Sequence, residues 1–282
     1  MKKRIALSLS MVGLIAVVAL FSYAVKQGSA AGKGPDLSVR EDVLRNHWVV
    51  RDENLPAEFC SVQEGEVTPG DHRLIRFTVT TSNIGDEAIH IGDPDAHYAA
   101  GDGLFEFASC HHHYHFRHYA LYELVDPNTG YAWRAAKRGF CMLDTDPIPS
   151  WMYSGKKQAK TYGNCGEIGI PGNQGVSAGW SDTYNLHLGG QYFVLDGGDG
   201  QPVVPAGAYI LRVTVNPPFA AKRGEPCPYK DSKGMCHQLP ESNYENNIGQ
   251  VTINIPDRPG KTGVGPESGA PHNTTEPVDH CE

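Results

Sequence analysis

The chain has 282 residues and a formal charge of −8; without the four leader cations Lys2, Lys3, Arg4 and Lys26 it carries −8 less 4, or −12. That balance argues against a nucleic-acid partner, because phosphate binding needs basic patches, and it biases encounter toward cations. Seven cysteines with no Cys-x-x-Cys pair argue against zinc-ribbon and thioredoxin-type sites.

Residues 1–30 read as an export segment. Lys2, Lys3 and Arg4 precede an apolar run from Ile5 to Val25, and Gly28-Ser29-Ala30 is a small-residue cleavage site. A run of that length also suits a membrane anchor. Either way the rest of the chain is exported: secreted, periplasmic or anchored at the outer face of a membrane. Export favours disulfides, and Cys227 and Cys236, bracketing a short polar loop, are expected to pair locally, leaving Cys281 as the odd thiol.

Beyond the leader, period-two patterns dominate. Ile75, Phe77 and Val79 alternate with polar residues and run into the turn Asn83-Ile84-Gly85-Asp86. Tyr119, Leu121, Glu123 and Val125 form a strand that Pro127-Asn128-Thr129-Gly130 closes. Residues 144–200 hold many glycines and few alternating runs, a long irregular excursion of the kind that carries function. Tyr209, Leu211, Val213 and Val215 follow Pro205-Ala206-Gly207, and Val251, Ile253 and Ile255 make a last strand. With no persistent helical period, this predicts an all-β sandwich with little helix and long irregular Gly-rich loops carrying the active site. It occupies residues 31–256, and a disordered Pro/Gly-rich tail occupies 257–282.

The segment Cys110-His-His-His-Tyr-His115 carries the most chemistry. In a strand, His111, His113 and His115 share one face, so three imidazoles can converge on one ion and leave other coordination positions open, as in catalytic metal sites. Imidazole suits zinc, copper, iron or nickel alike. A histidine-rich surface strand with no metal is the alternative, and His112 and Tyr114 fall on the other face.

Ser109–His115 resembles the copper-binding motif of the lysyl oxidase family, and further motifs follow in order. Lys137-Arg138-Gly139-Phe140-Cys141-Met142-Leu143-Asp144 is similar to the segment carrying that family's cofactor lysine, and Asp182-Thr183-Tyr184 to the one carrying its cofactor tyrosine. Residues 209–217 and 241–247 resemble its closing strand and turn. The resemblance implies that His111, His113 and His115 bind Cu(2+) and that Lys137 and Tyr184 become lysine tyrosylquinone. It implies a copper-dependent amine oxidase that converts primary amines, peptidyl-lysine or other alkylamines, to aldehydes with O2, releasing H2O2 and NH3. Asp182 is then the candidate general base, with turn capping as its other role. His118 could orient a ligand or the quinone, or simply pack.

The resemblance also implies a Cys110–Cys165 bridge, with Cys60–Cys141 left by parity, and a calcium site from Asp36, Leu37, Glu241, Asn243, Asn246 and Asn247, whose oxygens suit a hard cation. Trp180 stands where animal members have a cysteine, so the disulfide framework is only partly shared. Lys156, Lys157, Lys160 and Tyr162 match no family position. An exported copper-binding or copper-buffering sandwich without a quinone is the competing reading, and a zinc-loaded structural domain a third. A metal buffer has no use for both Lys137 and Tyr184.

Overall fold

The protein is described here from a computed structural model covering residues 33–65, 67–198 and 200–271. The leader, its cleavage point, the anchor expectation for residues 5–25 and Cys281 lie outside the described residues. Among those described, no helix is long and apolar enough to cross a membrane.

In chain order the strands are β1 Leu37–Val39, β2 Trp48–Leu55, β3 Gly70–Phe77, β4 Val79–Asn83, β5 Ile89–Gly92, β6 Phe105–Ala108, β7 His113–Phe116, β8 Ala120–Val125 and β9 Ala132–Arg134. They continue with β10 Asp146–Pro147, β11 Gln174–Val176, β12 Trp180–Tyr184, β13 Tyr192–Val194, β14 Gly207–Val215, β15 Tyr229–Lys230, β16 Cys236–His237 and β17 Ile248–Ile255. Among the described residues three short helices, α1 Glu41–Asn46, α2 Cys60–Gln63 and α3 Pro94–Ala100, interrupt them. The fold is all-β, as the alternation predicts.

Antiparallel sheets of order β17-β14-β8-β9, β1-β4-β12-β10 and β13-β3-β2 share one core. The alternation sets which face is inward: along β17, Val251, Ile253 and Ile255 are buried while Gln250, Thr252 and Asn254 are exposed. Register places Leu211 of β14 between Val251 and Leu124, so three apolar side chains meet at one level. Phe77, Tyr122, Phe140 and Phe193 close the core with ring centroids 5.1–5.4 Å apart.

Three expectations need correction. The excursion over residues 144–200 is not simply irregular, because it contains β10 to β13. β12 lies beside β4 with both strands almost wholly buried, yet their residues are polar: Ser82 Oγ and Ser181 Oγ lie 2.8 Å apart and Thr80 and Thr183 hydroxyls 3.0 Å apart. Cross-strand hydroxyl pairs satisfy these groups without water.

Second, residues 257–271 do not behave as a disordered tail. Val264 pairs with Val50 in both directions (N···O 2.9 and 2.8 Å), and Asp52 N donates to Gly260 O at 3.0 Å. β2 ends its sheet, and this segment covers the edge whose backbone groups would otherwise face solvent. It also caps Arg51, whose Nη1 donates to Ala270 O at 2.6 Å. Arg51 and Arg76 are fully buried around Glu53, which accepts from Arg76 Nε at 2.9 Å and from Arg51 Nε. Residues 272–282 lie outside the described residues.

Third, the disulfides are Cys60–Cys110, Cys141–Cys165 and Cys227–Cys236. The local pair holds, but Cys110–Cys165 and Cys60–Cys141 do not form. Cys110 lies against α2, 5.3 Å between Cα atoms from Cys60, while Cys165 lies 5.5 Å from Cys141, both within bridging range. The choice depends on where α2 docks, and α2 is too short to announce itself in the sequence.

Candidate active site

The histidine triplet forms by a turn followed by a strand. β7 begins at His113, and His112 adopts a left-handed backbone, φ 58°, which a residue other than glycine rarely takes. That twist returns His111 to the side of His113 and His115. The three rings lie 5.5, 5.3 and 4.9 Å apart, centroid to centroid. Among the described residues, no three His, Cys, Asp or Glu side chains close around a common point as a finished metal cage; the rings are neighbours on one side of a strand.

Their chemistry suits a cation. Burial, followed by the charges of His111 and Lys137, lowers His113 to about 4. Burial likewise holds His115 well below the ordinary histidine range. Both rings are therefore neutral at physiological pH, the form that binds metals. Nδ1 of His113 lies 3.0 Å from the carbonyl of His111. A carbonyl only accepts, so Nδ1 carries the proton and Nε2 keeps its lone pair. Glu64, a residue no sequence pattern flagged, does the same for His111: Oε2 is 3.1 Å from Nδ1.

Lys137 enters this neighbourhood on a segment that runs beside β7. Phe140 and Phe116 exchange backbone hydrogen bonds (N···O 3.2 and 2.6 Å), and Lys137 N donates to Gly190 O at 2.8 Å. Gly139 permits the approach, because a Cβ there would meet His115 Nδ1 at 2.4 Å and its Cβ at 2.7 Å. Lys137 Nζ then lies 5.2 Å from the centroid of the Tyr184 ring and 5.5 Å from that of Phe140.

Tyr184 ends β12, and its hydroxyl donates to Cys141 O at 2.7 Å. Two residues earlier, Asp182 is buried with Oδ2 lacking a hydrogen-bond partner among the described residues. Burial raises its carboxyl well above the usual range against the opposing pull of the Tyr184 and Tyr119 hydroxyls, the Leu143 amide and the Lys137 charge. Tyr119, whose hydroxyl contacts Thr81, packs its ring 6.1 Å from that of Tyr184. These buried phenols also escaped the sequence reading, since Tyr119 and Tyr122 look there like ordinary strand aromatics.

Lys137 connects the two groups: its Nζ stands over the Tyr184 ring, and its charge acts on Asp182 and on His113 and His115. His118 has other surroundings. It follows β7 and lines a cavity of about 520 Å³ with His90, Phe116, Glu225 and Tyr229, whose walls include none of His111, His113, His115, Lys137, Asp182 or Tyr184.

The region expected to hold calcium is also assembled. Glu241 accepts from Leu37 N at 2.7 Å, Asn247 Nδ2 at 2.8 Å and, unforeseen, Asn216 Nδ2 at 2.7 Å. Asp36 accepts from Asn246 Nδ2 at 2.9 Å. Asn243 instead caps a turn, accepting from Glu245 N at 3.0 Å. Burial pushes Glu241 up to about 8 and also raises Asp36. Oδ1 of Asn246 and Oδ1 of Asn247 are buried without partners among the described residues. Two carboxylates whose ionisation burial resists, with two orphaned amide oxygens, are a donor set that a hard cation would satisfy.

The lysyl oxidase family model matches residues 50–259, a span that includes the histidines, Lys137, Asp182 and Tyr184. Protein-lysine 6-oxidase of Bos taurus is 29% identical over 220 residues, 76% of this chain and 41% of that protein. The Sus scrofa protein-lysine 6-oxidase is 30% identical over 193 residues, 67% of this chain and 59% of its own length. Human lysyl oxidase homolog 3 is 26% identical over 197 residues, 65% of this chain and 23% of that protein. The chain therefore spans between about a quarter and three fifths of these relatives. With a family match over most of its length, the chain belongs to the lysyl oxidase family.

Proposed function

We propose that the protein is an exported, copper-dependent primary-amine oxidase whose quinone cofactor derives from Lys137 and Tyr184. The observation that carries this reading is the 5.2 Å approach of Lys137 Nζ to the Tyr184 ring, with the Lys137 charge also acting on the buried rings of His113 and His115. That two residues 47 positions apart in sequence come this close supports the reading. His111, His113 and His115 would hold copper, which with O2 supplies the oxidising power to convert the Tyr184 phenol to a quinone able to accept electrons from an amine.

The chain's own groups account for the remaining requirements. Lys137 is nucleophilic only as a neutral amine, and neighbouring Asp182 is the group placed to take its proton. A carboxyl lifted by burial is a stronger base than an exposed one. Asp182 is therefore assigned the proton transfers at this site. The hydrogen bond to Cys141 O fixes the Tyr184 ring, and Cys141–Cys165 anchors that carbonyl. Primary amines, protein lysine or smaller alkylamines, are the substrate class, together with O2.

The Asp36/Glu241/Asn246/Asn247 cluster is proposed to hold calcium and tie the first strand of the domain to its last turn. The three disulfides fit an oxidising compartment, in keeping with export. The test is peptide mass spectrometry of protein loaded with copper in air. A single cross-linked species joining the Lys137 and Tyr184 peptides, reactive with phenylhydrazine, is expected. Separate unmodified peptides after full copper loading refute the quinone.

A further inference from the structure

Glu64 contacts the histidine triplet from outside it, through an unusual arrangement. It follows α2, with its own amide closing the helix onto Cys60 O at 2.8 Å. Its two carboxylate oxygens are divided between consecutive residues: Oε1 accepts from Cys110 N at 3.0 Å, and Oε2 lies 3.1 Å from His111 Nδ1. Both side chains are largely withdrawn from solvent, 17% exposed for Glu64 and 11% for His111. The contact spans 47 positions in sequence, and Cys60–Cys110 spans 50 at its side. Helix and histidine turn are thus held by one covalent bond and two hydrogen bonds within a few residues.

We propose that Glu64 is a positioning residue for copper at His111, and that the Cys60–Cys110 disulfide delivers it. An ionised carboxylate only accepts, so it forces the His111 proton onto Nδ1 and leaves Nε2 as the ligand atom. It also fixes the ring plane and increases the donor strength of the imidazole, as carboxylate partners of metal-bound histidines do. A glutamine there could donate or accept, and would enforce neither tautomer nor basicity. The disulfide matters because α2 is a single turn, too short to hold its own geometry. The bridge keeps Glu64 within reach of a turn already strained at His112. This inference rests on the copper reading of the triplet.

The test compares wild-type exported chain with Glu64→Gln, Cys60→Ser/Cys110→Ser, the combined variant and an exposed-carboxylate control, Glu58→Gln. Cu(II) affinity is measured by chelator competition, and the copper environment by electron paramagnetic resonance, with circular dichroism reporting the fold. Glu64→Gln is expected to weaken copper by roughly 10–100-fold and to shift the hyperfine pattern at unchanged fold, while the control does neither. Removing the disulfide should weaken copper similarly, and adding Glu64→Gln to it should cost little more. If the disulfide variant does not fold, the Glu64→Gln comparison decides alone. Wild-type affinity and spectrum in Glu64→Gln overturn this proposal while leaving copper binding intact. A wild-type chain that takes up no copper overturns the copper reading and this inference with it.

Discussion

Glu53→Gln tests the buried charge cluster beneath the C-terminal segment. The substitution keeps the shape of the side chain and removes the carboxylate charge that two fully buried guanidiniums, Arg51 and Arg76, share. Breaking a buried ion pair by neutralising one partner costs about 3–5 kcal/mol, because the opposite charge remains stranded. For a domain of this size each kcal/mol moves Tm by about 2–4 °C, so a fall of roughly 6–20 °C is expected in differential scanning calorimetry. The pH dependence gives an independent check. Burial alone would raise the Glu53 carboxyl, but Arg76 and Arg51 outweigh it and hold it below its ordinary value of 4.5. A folded-state value below the unfolded one means the stabilisation is complete above the unfolded value and is lost as pH falls through the folded one. Wild-type protein should therefore lose stability steeply in the acid range below about pH 4.5, and Glu53→Gln should show a shallower acid limb. A variant melting within about 1 °C of wild type with the same acid limb would refute the reasoning.

Tyr184→Phe removes the phenol and leaves Cys141 O without its buried donor, so a loss of about 1–3 kcal/mol should accompany complete loss of the Lys137 cross-link by mass spectrometry. Gly139→Ala places a methyl group against His115 and should reduce Cu(II) binding in a chelator titration more than it lowers Tm. Calcium at millimolar concentration should raise the Tm of chelator-treated protein, and Glu241→Gln should abolish that increment; an equal increment in the variant would exclude the cluster as the site. Asp182→Asn keeps the shape of the carboxyl, so the chain should fold while Lys137–Tyr184 coupling slows at least tenfold, followed by intact mass over time.

Much of this architecture was legible in the residues. The alternation along Tyr209–Val215 and Val251–Ile255 marks β14 and β17, because one apolar face must be buried and a one-residue slip would expose it. β12 was missed for the opposite reason. It carries Ser181, Asp182 and Thr183 opposite Ser82, Thr81 and Thr80 of β4, so a buried strand shows no apolar period, although Asp182 and Tyr184 stand on it. Residues 257–271 carry the composition of a disordered tail, yet the β2 edge and the Arg51 guanidinium give their backbone groups partners that composition does not register.

The sequence by itself determined which chemistry was present: three histidines, a lysine and a tyrosine in the order of a known family, on an all-β chain with disulfide-forming cysteines. Residue types and periodicity are local properties, and local reading reaches them. The tertiary structure decided which groups meet. It brings Lys137 to Tyr184, sets Glu64 against His111, pairs Cys60 with Cys110 instead of Cys165 with Cys110, and leaves His118 facing a different cavity. Those outcomes depend on how α2, β12 and the segment beside β7 dock, and docking is set by long-range packing and buried hydrogen bonds that no window of sequence contains.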